Sequence, residues 1–217
     1  SLCSSSGRAS LRAAQLMAKR YGHHRSARLG RPVDAEGNPW PWYTYPAIEY
    51  LEQLALGRLR IFEFGCGNST LYWGRRALQV RSVEDDRGWY EEMVVRVPNN
   101  CRLEHAAEEA DYVGALEKTG QLWDCIVVDG KWRPRCAERA TAFLADGGFV
   151  VLDNSDWFPG AAAILRAHGL LEVDFSGFGP VNGYAWTTSL FFHRSFHLES
   201  REDWQPRPCI GGLDHLS

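Results

Sequence analysis

The sequence lacks several features that would assign the protein to a specialised class. No C-x-x-C pair occurs, and no His stands at zinc-ligand spacing from a cysteine pair. There is no run of 18 apolar residues, and the first 20 residues lack the apolar core of a secretory signal. We therefore expect no membrane span and a cytoplasmic location. The chain begins with Ser1 rather than Met, which leaves room for a removed upstream segment. The six cysteines are predicted to be reduced core residues; they are Cys3, Cys66, Cys101, Cys125, Cys136 and Cys209.

Neither sign of charge dominates the chain. Lys and Arg number 24 against 27 Asp and Glu, for a formal net charge of -3. Because a nucleic-acid backbone calls for a basic face, this balance predicts no nucleic-acid partner. The length of 217 residues and the 45% hydrophobic content fit one large domain with a continuous core. The oligomeric state stays open, with a homodimer as one option.

Short apolar runs alternate with helical patterns through the middle of the chain. Strands are predicted at 59–64, 80–84, 102–106, 125–129 and 149–153, with helices at 69–77, 89–97, 110–118 and 135–144. Runs that are apolar throughout suit parallel strands buried on both faces. After a helix at 161–168, strands at 171–175 and 187–192 are joined by a turn-rich loop and must pair antiparallel. The pattern predicts an α/β fold, a Rossmann-like doubly wound sheet that is mostly parallel with an antiparallel C-terminal strand pair.

The N-terminal quarter follows a different pattern. Residues 9–21 are loosely amphipathic and predict a helix, and residues 22–44, rich in Gly, Pro, Arg and aromatics, predict an extended connector. Pro46 opens the next predicted helix, which Gly57 ends. We predict three parts of the chain. Residues 1–45 form a helix and an aromatic connector that acts as a lid, residues 46–197 form the catalytic domain, and residues 198–217 form a tail.

A Gly-x-Gly turn follows the first predicted strand, in the segment Glu63-Phe64-Gly65-Cys66-Gly67-Asn68-Ser69-Thr70. Its glycines allow the backbone to turn tightly and to approach a ligand closely. NAD-binding turns usually add a third glycine, but Thr70 stands there. An acidic residue two positions before G-x-G-x-S-T resembles the first motif of class I S-adenosylmethionine-dependent methyltransferases. The resemblance implies S-adenosylmethionine as cofactor.

Further residues complete the predicted donor site. Glu84 should end the second strand, where a carboxylate can accept the ribose hydroxyls. Glu63 either braces the loop or contacts the methionine amino group of the donor. The segment 41–46 would pack beside the loop, so Tyr45 is a candidate cover for the donor, although ordinary aromatic packing explains it equally well. The predicted cofactor-binding residues are Glu63, Gly65, Gly67, Asn68, Ser69, Glu84 and Tyr45.

Polar residues end the fourth and fifth predicted strands. Asp129, Asp153 and Asn154 resemble the divalent-metal triad of catechol and caffeoyl-CoA O-methyltransferases. That resemblance implies Mg²⁺ or another divalent cation that acidifies an acceptor hydroxyl. Those enzymes place a Lys three residues after the first Asp, whereas Lys131 comes one place earlier here. We predict Asp129, Lys131 and Asp153 as catalytic. The alternative is that Asp129 contacts the acceptor directly, without metal, and that Lys131 or His193 is the base.

The acceptor is predicted only by class. Trp132, Trp157 and the loop at residues 179–186 supply aromatic rings that suit a small planar molecule or a glycan. The motif order PWYTYP, EFGxGxST, SVExD, VVDGxxR, LDNSDW and TTSLFF is similar to that of an uncharacterised bacterial-type subgroup of methyltransferases, over about residues 38–194. We predict O-methyl transfer. An NAD-linked oxidoreductase and a non-catalytic protein that only binds S-adenosylmethionine remain the alternatives.

Overall fold

The computed structural model describes residues 5–213, so Cys3 and the outermost residues of both predicted terminal segments lie outside it. The described chain folds into one sheet of seven strands with helices on both faces. The strands are β1 Arg60–Phe64, β2 Gln79–Glu84, β3 Cys101–His105, β4 Trp123–Val128, β5 Leu144–Leu152, β6 Leu171–Phe178 and β7 Ala185–Phe192. The α-helices are α1 Ser5–Gln15, α2 His23–Leu29, α3 Tyr45–Leu51, α4 Asn68–Gly74, α5 Arg87–Val94, α6 Glu109–Lys118, α7 Arg133–Phe143 and α8 Pro159–Ala167.

The strand order is β3-β2-β1-β4-β5-β7-β6. The first five strands in this order run parallel, whereas β7 is antiparallel to both β5 and β6. The predicted fold class, a mostly parallel doubly wound sheet with an antiparallel C-terminal pair, is therefore confirmed. Because β1 and β4 are neighbours at the point where the strand order reverses, their carboxyl ends open the crevice in which such sheets bind ligands.

Two apolar layers hold the helices to the sheet. On one face, Phe62 and Phe64 of β1 pack with residues of α6, α7 and α8. On the other face, Ile61 packs with residues of α3 and α4, including the fully buried Trp73. Alternate residues of β1 thus serve opposite layers, as the pleat of a strand requires. Glu63 shares a face with Ile61, so its carboxylate is enclosed within the sheet–helix layer.

The segment at 22–44 is not extended throughout, which corrects the sequence prediction. His23–Leu29 forms helix α2, and the glycines on either side, Gly22 and Gly30, have φ of 68° and 62°. These left-handed turns, which glycine adopts without strain, delimit a short polar helix that has little apolar periodicity to reveal it. Helix α1 also begins earlier than predicted and continues into a π-helical turn at Leu16–Arg20.

The two terminal segments meet on the α3 side of the sheet. Tyr21 donates a hydrogen bond to Glu49 Oε1 at 2.5 Å, and the Ile210 amide donates to Glu49 Oε2 at 3.0 Å. The five cysteines in the described part of the chain are free. Within residues 5–213, no helix has both the length and the apolar character needed to cross a membrane.

Candidate functional site

The Gly-x-Gly turn lies directly against the end of β4. Gly65 has a φ of 99°, and a Cβ placed there would come within 3.2 Å of Gly130 Cα. Both the backbone conformation and the close approach therefore require glycine at this position. Gly67 precedes α4, and its amide donates a hydrogen bond to Thr70 Oγ1 at 3.0 Å. The turn is thus braced by the first residues of the helix that it begins.

Glu63 is buried beneath this turn with only one of its carboxylate oxygens satisfied. Thr70 Oγ1 donates to Glu63 Oε2 at 2.5 Å, and Ser82 Oγ donates to the same oxygen at 2.9 Å. Glu63 Oε1 is buried and has no hydrogen-bond partner among the described residues. Burial raises the pKa of Glu63 to about 7; the nearby hydroxyls of Ser69, Thr70 and Ser82 oppose this shift, and the charge of Asp129 adds to it. A buried carboxylate oxygen without a hydrogen-bond partner costs free energy of folding. The site is therefore suited to a ligand that donates a hydrogen bond to this oxygen or places a positive charge beside it.

Glu84 ends β2 and closes the other side of the turn. The Cys66 amide donates to Glu84 Oε2, and the Asp85 and Asp86 amides donate to Glu84 Oε1, all at 3.0 Å. These bonds orient a carboxylate that is 7% exposed. Glu84 Oε1 already accepts two hydrogen bonds, whereas Oε2 accepts one and so keeps a lone pair for a ligand.

These elements enclose a pocket of about 270 Å³ at the carboxyl ends of β1, β2 and β4. Its lining consists of Glu63, Gly65, Cys66, Ser69, Glu84, Asp85, Asp129, Gly130 and Lys131. Lys131 Nζ lies 2.6 Å from Asp85 Oδ2, and Asp129 pairs with Arg133, whereas Glu63 and Glu84 have no cationic partner among the described residues. The pocket therefore favours a ligand of positive charge and disfavours an anionic group such as a pyrophosphate.

Four of the predicted donor residues, Glu63, Gly65, Ser69 and Glu84, come together in this pocket. Asn68 instead donates from Nδ2 to the Pro32 carbonyl oxygen at 2.5 Å, and so attaches the N-terminal segment to the turn. Tyr45 also lies outside the lining: its ring packs on Tyr21, and its hydroxyl is 3.2 Å from His23 Nδ1. In this structure both side chains hold the N-terminal segment.

The end of β4 carries Asp129, which is partly exposed toward the pocket. Burial raises the pKa of Asp129 to about 6, and the Arg133 guanidinium opposes this shift. Arg133 Nη2 donates to Asp129 Oδ1 at 3.1 Å and to the Asp129 carbonyl oxygen at 2.9 Å. Asp129 is therefore mostly ionised at neutral pH and is held in a fixed orientation.

Asp153, at the end of β5, is fully enclosed. Its Oδ1 accepts hydrogen bonds from Trp186 Nε1 at 3.0 Å and from Thr188 Oγ1 at 2.5 Å. The Thr44 amide in turn donates to Thr188 Oγ1 at 3.0 Å. Burial raises the pKa of Asp153 well above its usual range, and the charge of Asp129 acts in the same direction. Asp153 thus connects β5, β7 and the N-terminal segment, which is a structural use of this carboxylate.

The predicted metal triad of Asp129, Asp153 and Asn154 does not fit a divalent cation. Arg133 donates to Asp129 Oδ1 and, through Nη1, to Asn154 Oδ1 at 3.0 Å, while Asp153 Oδ1 is directed to β7. A guanidinium already lies among the proposed ligands, and a second cation there would be repelled. No cluster of three or more His, Cys, Asp or Glu side chains within residues 5–213 is arranged to hold a metal.

Neither Lys131 nor His193 is suited to act as the base: Lys131 is protonated, and His193 lies far from Asp129. The Lys131 ammonium is exposed and bonded to Asp85, which raises the pKa of Lys131, so it stays protonated at neutral pH. His193 lies at the opposite edge of the sheet, where Nδ1 accepts from the Gly147 amide at 3.2 Å. The reason is the direction of β7: the strand starts near the pocket and ends far from it, so a residue after its end cannot reach.

The predicted acceptor aromatics divide into two groups. Trp157, Tyr184 and Trp186 form a row of adjacent rings, with centroid separations of 6.1 Å and 6.0 Å. The first two rings are half-exposed, whereas Trp186 is buried and bonded to Asp153. Trp132 is not part of this row, because its ring packs edge-on against the buried Tyr112, with centroids 5.2 Å apart.

Sequence reasoning missed two residues of the site. The first is Arg133, which lies at the carboxyl ends of β4 and β5. It is the Arg of the VVDGxxR motif, to which the sequence analysis assigned no role. Tyr43 is fully buried, and its hydroxyl accepts from Trp73 Nε1 at 3.3 Å. Burial raises the pKa of Tyr43 well above its usual range, and the charges of Glu63 and Asp129 act in the same direction. In the segment PWYTYP, nothing local distinguishes Tyr43 from Tyr45.

Comparison with known proteins bears on the fold. No protein-family model and no curated protein sequence matches the chain significantly. The fold is similar to that of precorrin-6y C5,15-methyltransferase from Geobacter metallireducens GS-15, with a TM-score of 0.51, 14% identity, and 67% of this chain and 86% of that chain covered. It is similar also to N-methyltransferase NodS from Bradyrhizobium japonicum WM9, with a TM-score of 0.51, 17% identity, and 67% and 92% covered.

A third similar structure is precorrin 8w decarboxylase from Methanobacterium thermoautotrophicum, with a TM-score of 0.50, 17% identity, and 75% of this chain and 96% of that chain covered. The names of these three proteins refer to two methyltransferases and a decarboxylase. At such low identity the likeness establishes the fold alone, and the activity has to be argued from the site. The chain thus has the fold of two named methyltransferases.

Proposed function

We propose that the chain transfers the methyl group of S-adenosylmethionine to a hydroxyl of a small-molecule or glycan acceptor. The observation that carries the proposal is the buried carboxylate oxygen Glu63 Oε1, which has no partner among the described residues and lies at the Gly-x-Gly turn. The ammonium group of the donor's methionine part is a matching cationic hydrogen-bond donor. The fold shared with two proteins named as methyltransferases supports the reaction class.

The remaining donor contacts follow from the pocket. The remaining lone pair of Glu84 Oε2 would accept from a ribose hydroxyl, and the Gly65–Gly67 turn would let the backbone approach the donor closely. When bound, S-adenosylmethionine supplies an activated methyl group on a sulfonium centre. The carboxylates of the pocket favour such a cationic donor over NAD, whose pyrophosphate is anionic. This charge preference separates the proposed function from the oxidoreductase alternative.

Asp129 is proposed as the residue that accepts the proton of the acceptor hydroxyl. It lines the donor pocket, is ionised at neutral pH because its pKa is about 6, and is oriented by Arg133. A general base with a pKa slightly below the working pH is well placed for this role. Alignment of the acceptor with the methyl group would contribute most of the rate, since positioning alone can supply roughly 7–11 kcal/mol.

The row of Trp157, Tyr184 and Trp186 is proposed to bind the acceptor. Its half-exposed rings offer flat apolar faces, and its buried end reaches Asp153 at the end of β5. Aromatic faces of this kind stack on planar rings and on the apolar faces of sugars.

The division of the chain and its oligomeric state are also proposals. Residues 1–45 are proposed as the lid segment, residues 46–197 as the catalytic domain and residues 198–217 as a tail. A homodimer is proposed as the assembly, which light scattering would test.

Calorimetry and a transfer assay test the proposed function together. Titration with S-adenosylmethionine, S-adenosylhomocysteine and NAD should show binding of the first two and none of NAD. Donor labelled in its methyl group, incubated with sets of phenols and sugars, should then transfer the label, and Asp129→Asn should reduce that transfer without abolishing donor binding. Binding of NAD alone would favour the oxidoreductase. Donor binding without label transfer to any acceptor in the set would favour the non-catalytic alternative.

A further inference from the structure

A second cavity, of about 590 Å³, lies where β3 forms one edge of the sheet. It is more than twice the size of the donor pocket of about 270 Å³, and among the described residues none lines both. Its walls come from β1, β2 and β3, from α5, and from α6 and the residue that follows it. A volume of this size is typical of sites for small organic ligands.

Two arginines stand side by side in this cavity. Arg81 of β2 is the register partner of Arg102 on β3 and of Phe62 on β1, so the three side chains share one face of the sheet. Neighbouring strands are about 4.8 Å apart, which brings the two positive charges close together. Like charges at directly neighbouring strand positions repel each other, so this pair destabilises the sheet unless an anion lies between them.

The described carboxylates leave these two charges without a counter-ion. Glu104, the one acidic residue among the described lining residues, has its Oε1 3.9 Å from Lys118 Nζ. Arg87, the third arginine of the lining, pairs with Glu91 on its own helix. Neither Arg81 nor Arg102 forms an ion pair with a residue of the described part of the chain. The cavity therefore has an excess of positive charge, in contrast to the donor pocket.

Two buried nitrogen atoms of the lining also lack hydrogen-bond partners within residues 5–213. They are Arg81 Nε and His105 Nε2. The His105 ring packs against the ring of Tyr90, another lining residue, with centroids 5.7 Å apart. A guanidinium N–H can only donate, and a buried donor without an acceptor costs free energy of folding. Arg81 Nε thus adds a need for an acceptor to the need for negative charge.

The paired guanidiniums favour a phosphate over a carboxylate. A carboxylate carries one charge and two oxygens, which the fork of a single guanidinium already satisfies. A phosphate monoester carries about −1.5 to −2 charges at pH 7 and three acceptor oxygens, so it can accept from two guanidiniums at once. The cavity is also much larger than one phosphate group, which leaves room for an organic part.

We propose that the cavity at Arg81 and Arg102 binds the phosphate group of a small organic phosphate. The site is separate from the donor pocket, although β2 carries residues of both, since Arg81 lines the cavity and Glu84, at the end of the strand, lines the donor pocket. The formal net charge of -3 favours a small ligand over a nucleic acid. The proposal goes beyond methyl transfer and does not depend on it.

Calorimetric titration tests the site with three phosphate esters, namely phenyl phosphate, glycerol phosphate and AMP. At least one of them should bind wild type with a Kd below about 1 mM, whereas phenol, glycerol and adenosine should not. Inorganic phosphate should bind more weakly than the best ester, because it leaves most of the cavity unfilled. A single-stranded oligonucleotide should likewise bind more weakly than the best ester.

Substitutions of Arg102 separate this site from other binding. Arg102 is exposed, so its variants should fold. Arg102→Met should weaken ester binding at least about tenfold, and Arg102→Glu should abolish it. Without ligand, Arg102→Glu should melt at a higher temperature than wild type, because repulsion of Arg81 becomes attraction. Arg194→Met, which changes an exposed arginine outside the lining, should behave as wild type.

Any of four results would overturn the proposal. They are no ester binding with a Kd below about 1 mM, ester binding that survives Arg102→Glu, inorganic phosphate or the oligonucleotide binding at least as tightly as every ester, and no rise in the melting temperature of ligand-free Arg102→Glu. Titration of wild type and Arg102→Met with S-adenosylhomocysteine keeps the two proposals apart. Equal donor-site binding by both proteins is expected, and its absence from both would count against methyl transfer alone.

Discussion

The protonation of Glu63 should control donor binding through a pH range that is easily measured. In the free protein, burial raises the pKa of Glu63 to about 7, and its Oε1 lacks a partner among the described residues. A ligand that places an ammonium group at this oxygen binds only when Glu63 is ionised. Affinity for such a ligand should therefore increase as the pH rises through 7 and level off above it.

The size of the effect follows from the ionised fraction. With a pKa of about 7, roughly nine-tenths of Glu63 is ionised at pH 8 and roughly one-tenth at pH 6. The apparent Kd scales inversely with the competent fraction, so it should be about tenfold larger at pH 6 than at pH 8. That ratio corresponds to about 1.4 kcal/mol of binding free energy.

Calorimetric titration of S-adenosylhomocysteine at pH 6, 7 and 8 measures this ratio. Titration at pH 6.5 in two buffers of different ionisation enthalpy should also detect the release of a proton on binding. Methylthioadenosine lacks the amino-acid part of the ligand, so its affinity should not follow the same pH dependence. Glu63→Gln should bind S-adenosylhomocysteine weakly at every pH, whereas Glu91→Gln, which changes an exposed residue of α5, should behave as wild type.

The substitution Glu63→Gln should weaken ligand binding but raise the stability of the ligand-free protein. A carboxyl group whose pKa is higher in the folded than in the unfolded chain stabilises the fold at low pH, and this contribution is lost as the pH rises through the folded pKa. Glu63→Gln should therefore unfold at a higher temperature than wild type at pH 8, in the absence of ligand. The reasoning is refuted if wild type binds S-adenosylhomocysteine equally well at pH 6 and pH 8, or if methylthioadenosine shows the same dependence.

Three further predictions concern neighbouring residues of the pocket. Gly65→Val should abolish donor binding in calorimetry, because its Cβ meets Gly130, whereas Gly120→Val, with a similar positive φ of 65° but no atom within 4 Å of an added Cβ, should only lower the melting temperature. Glu84→Ala should weaken donor binding by about 1–3 kcal/mol, and an unchanged Kd would mean that another residue holds the ribose. Turnover should rise with pH through about 6 as Asp129 ionises; Lys131→Met should retain this rise, and its loss there would identify Lys131 as the base.

The elements that were predicted well are those whose signal is local. The central strands β4 and β5 contain the apolar runs CIVV and FVVL, so their positions could be predicted directly from the sequence, whereas β2 and β3 are mixed in polarity. The Gly-x-Gly turn likewise requires its residues for a backbone reason that operates within a few positions. Glu63 and Glu84 lie at the ends of two neighbouring strands and line one pocket, as expected of the residues that the motif resemblance assigned to the donor site.

The elements that were missed depend on contacts distant in the chain. Asp153 resembles a metal ligand locally, but its carboxylate accepts from Trp186 and Thr188 on β7, more than 30 residues later. Arg133 was passed over because Lys131 lies only one place from the position of the lysine in the family pattern, whereas Arg133, at the start of α7, donates to the strand ends. Periodicity likewise cannot say which ring of the aromatic segment 41–46 faces a pocket.

The distribution of charge connects these observations. The pocket contains four carboxylates, of which Asp85 is paired with Lys131 and Asp129 with Arg133. The two that have no cation among the described residues, Glu63 and Glu84, stand on either side of the glycine turn. A donor that is positively charged completes this balance, and transfer of its methyl group removes the sulfonium charge while the carboxylates remain. The pocket should thus hold the donor more strongly than the product, which keeps its ammonium group but has lost the sulfonium charge, so that the electrostatics that favour binding also favour release after transfer.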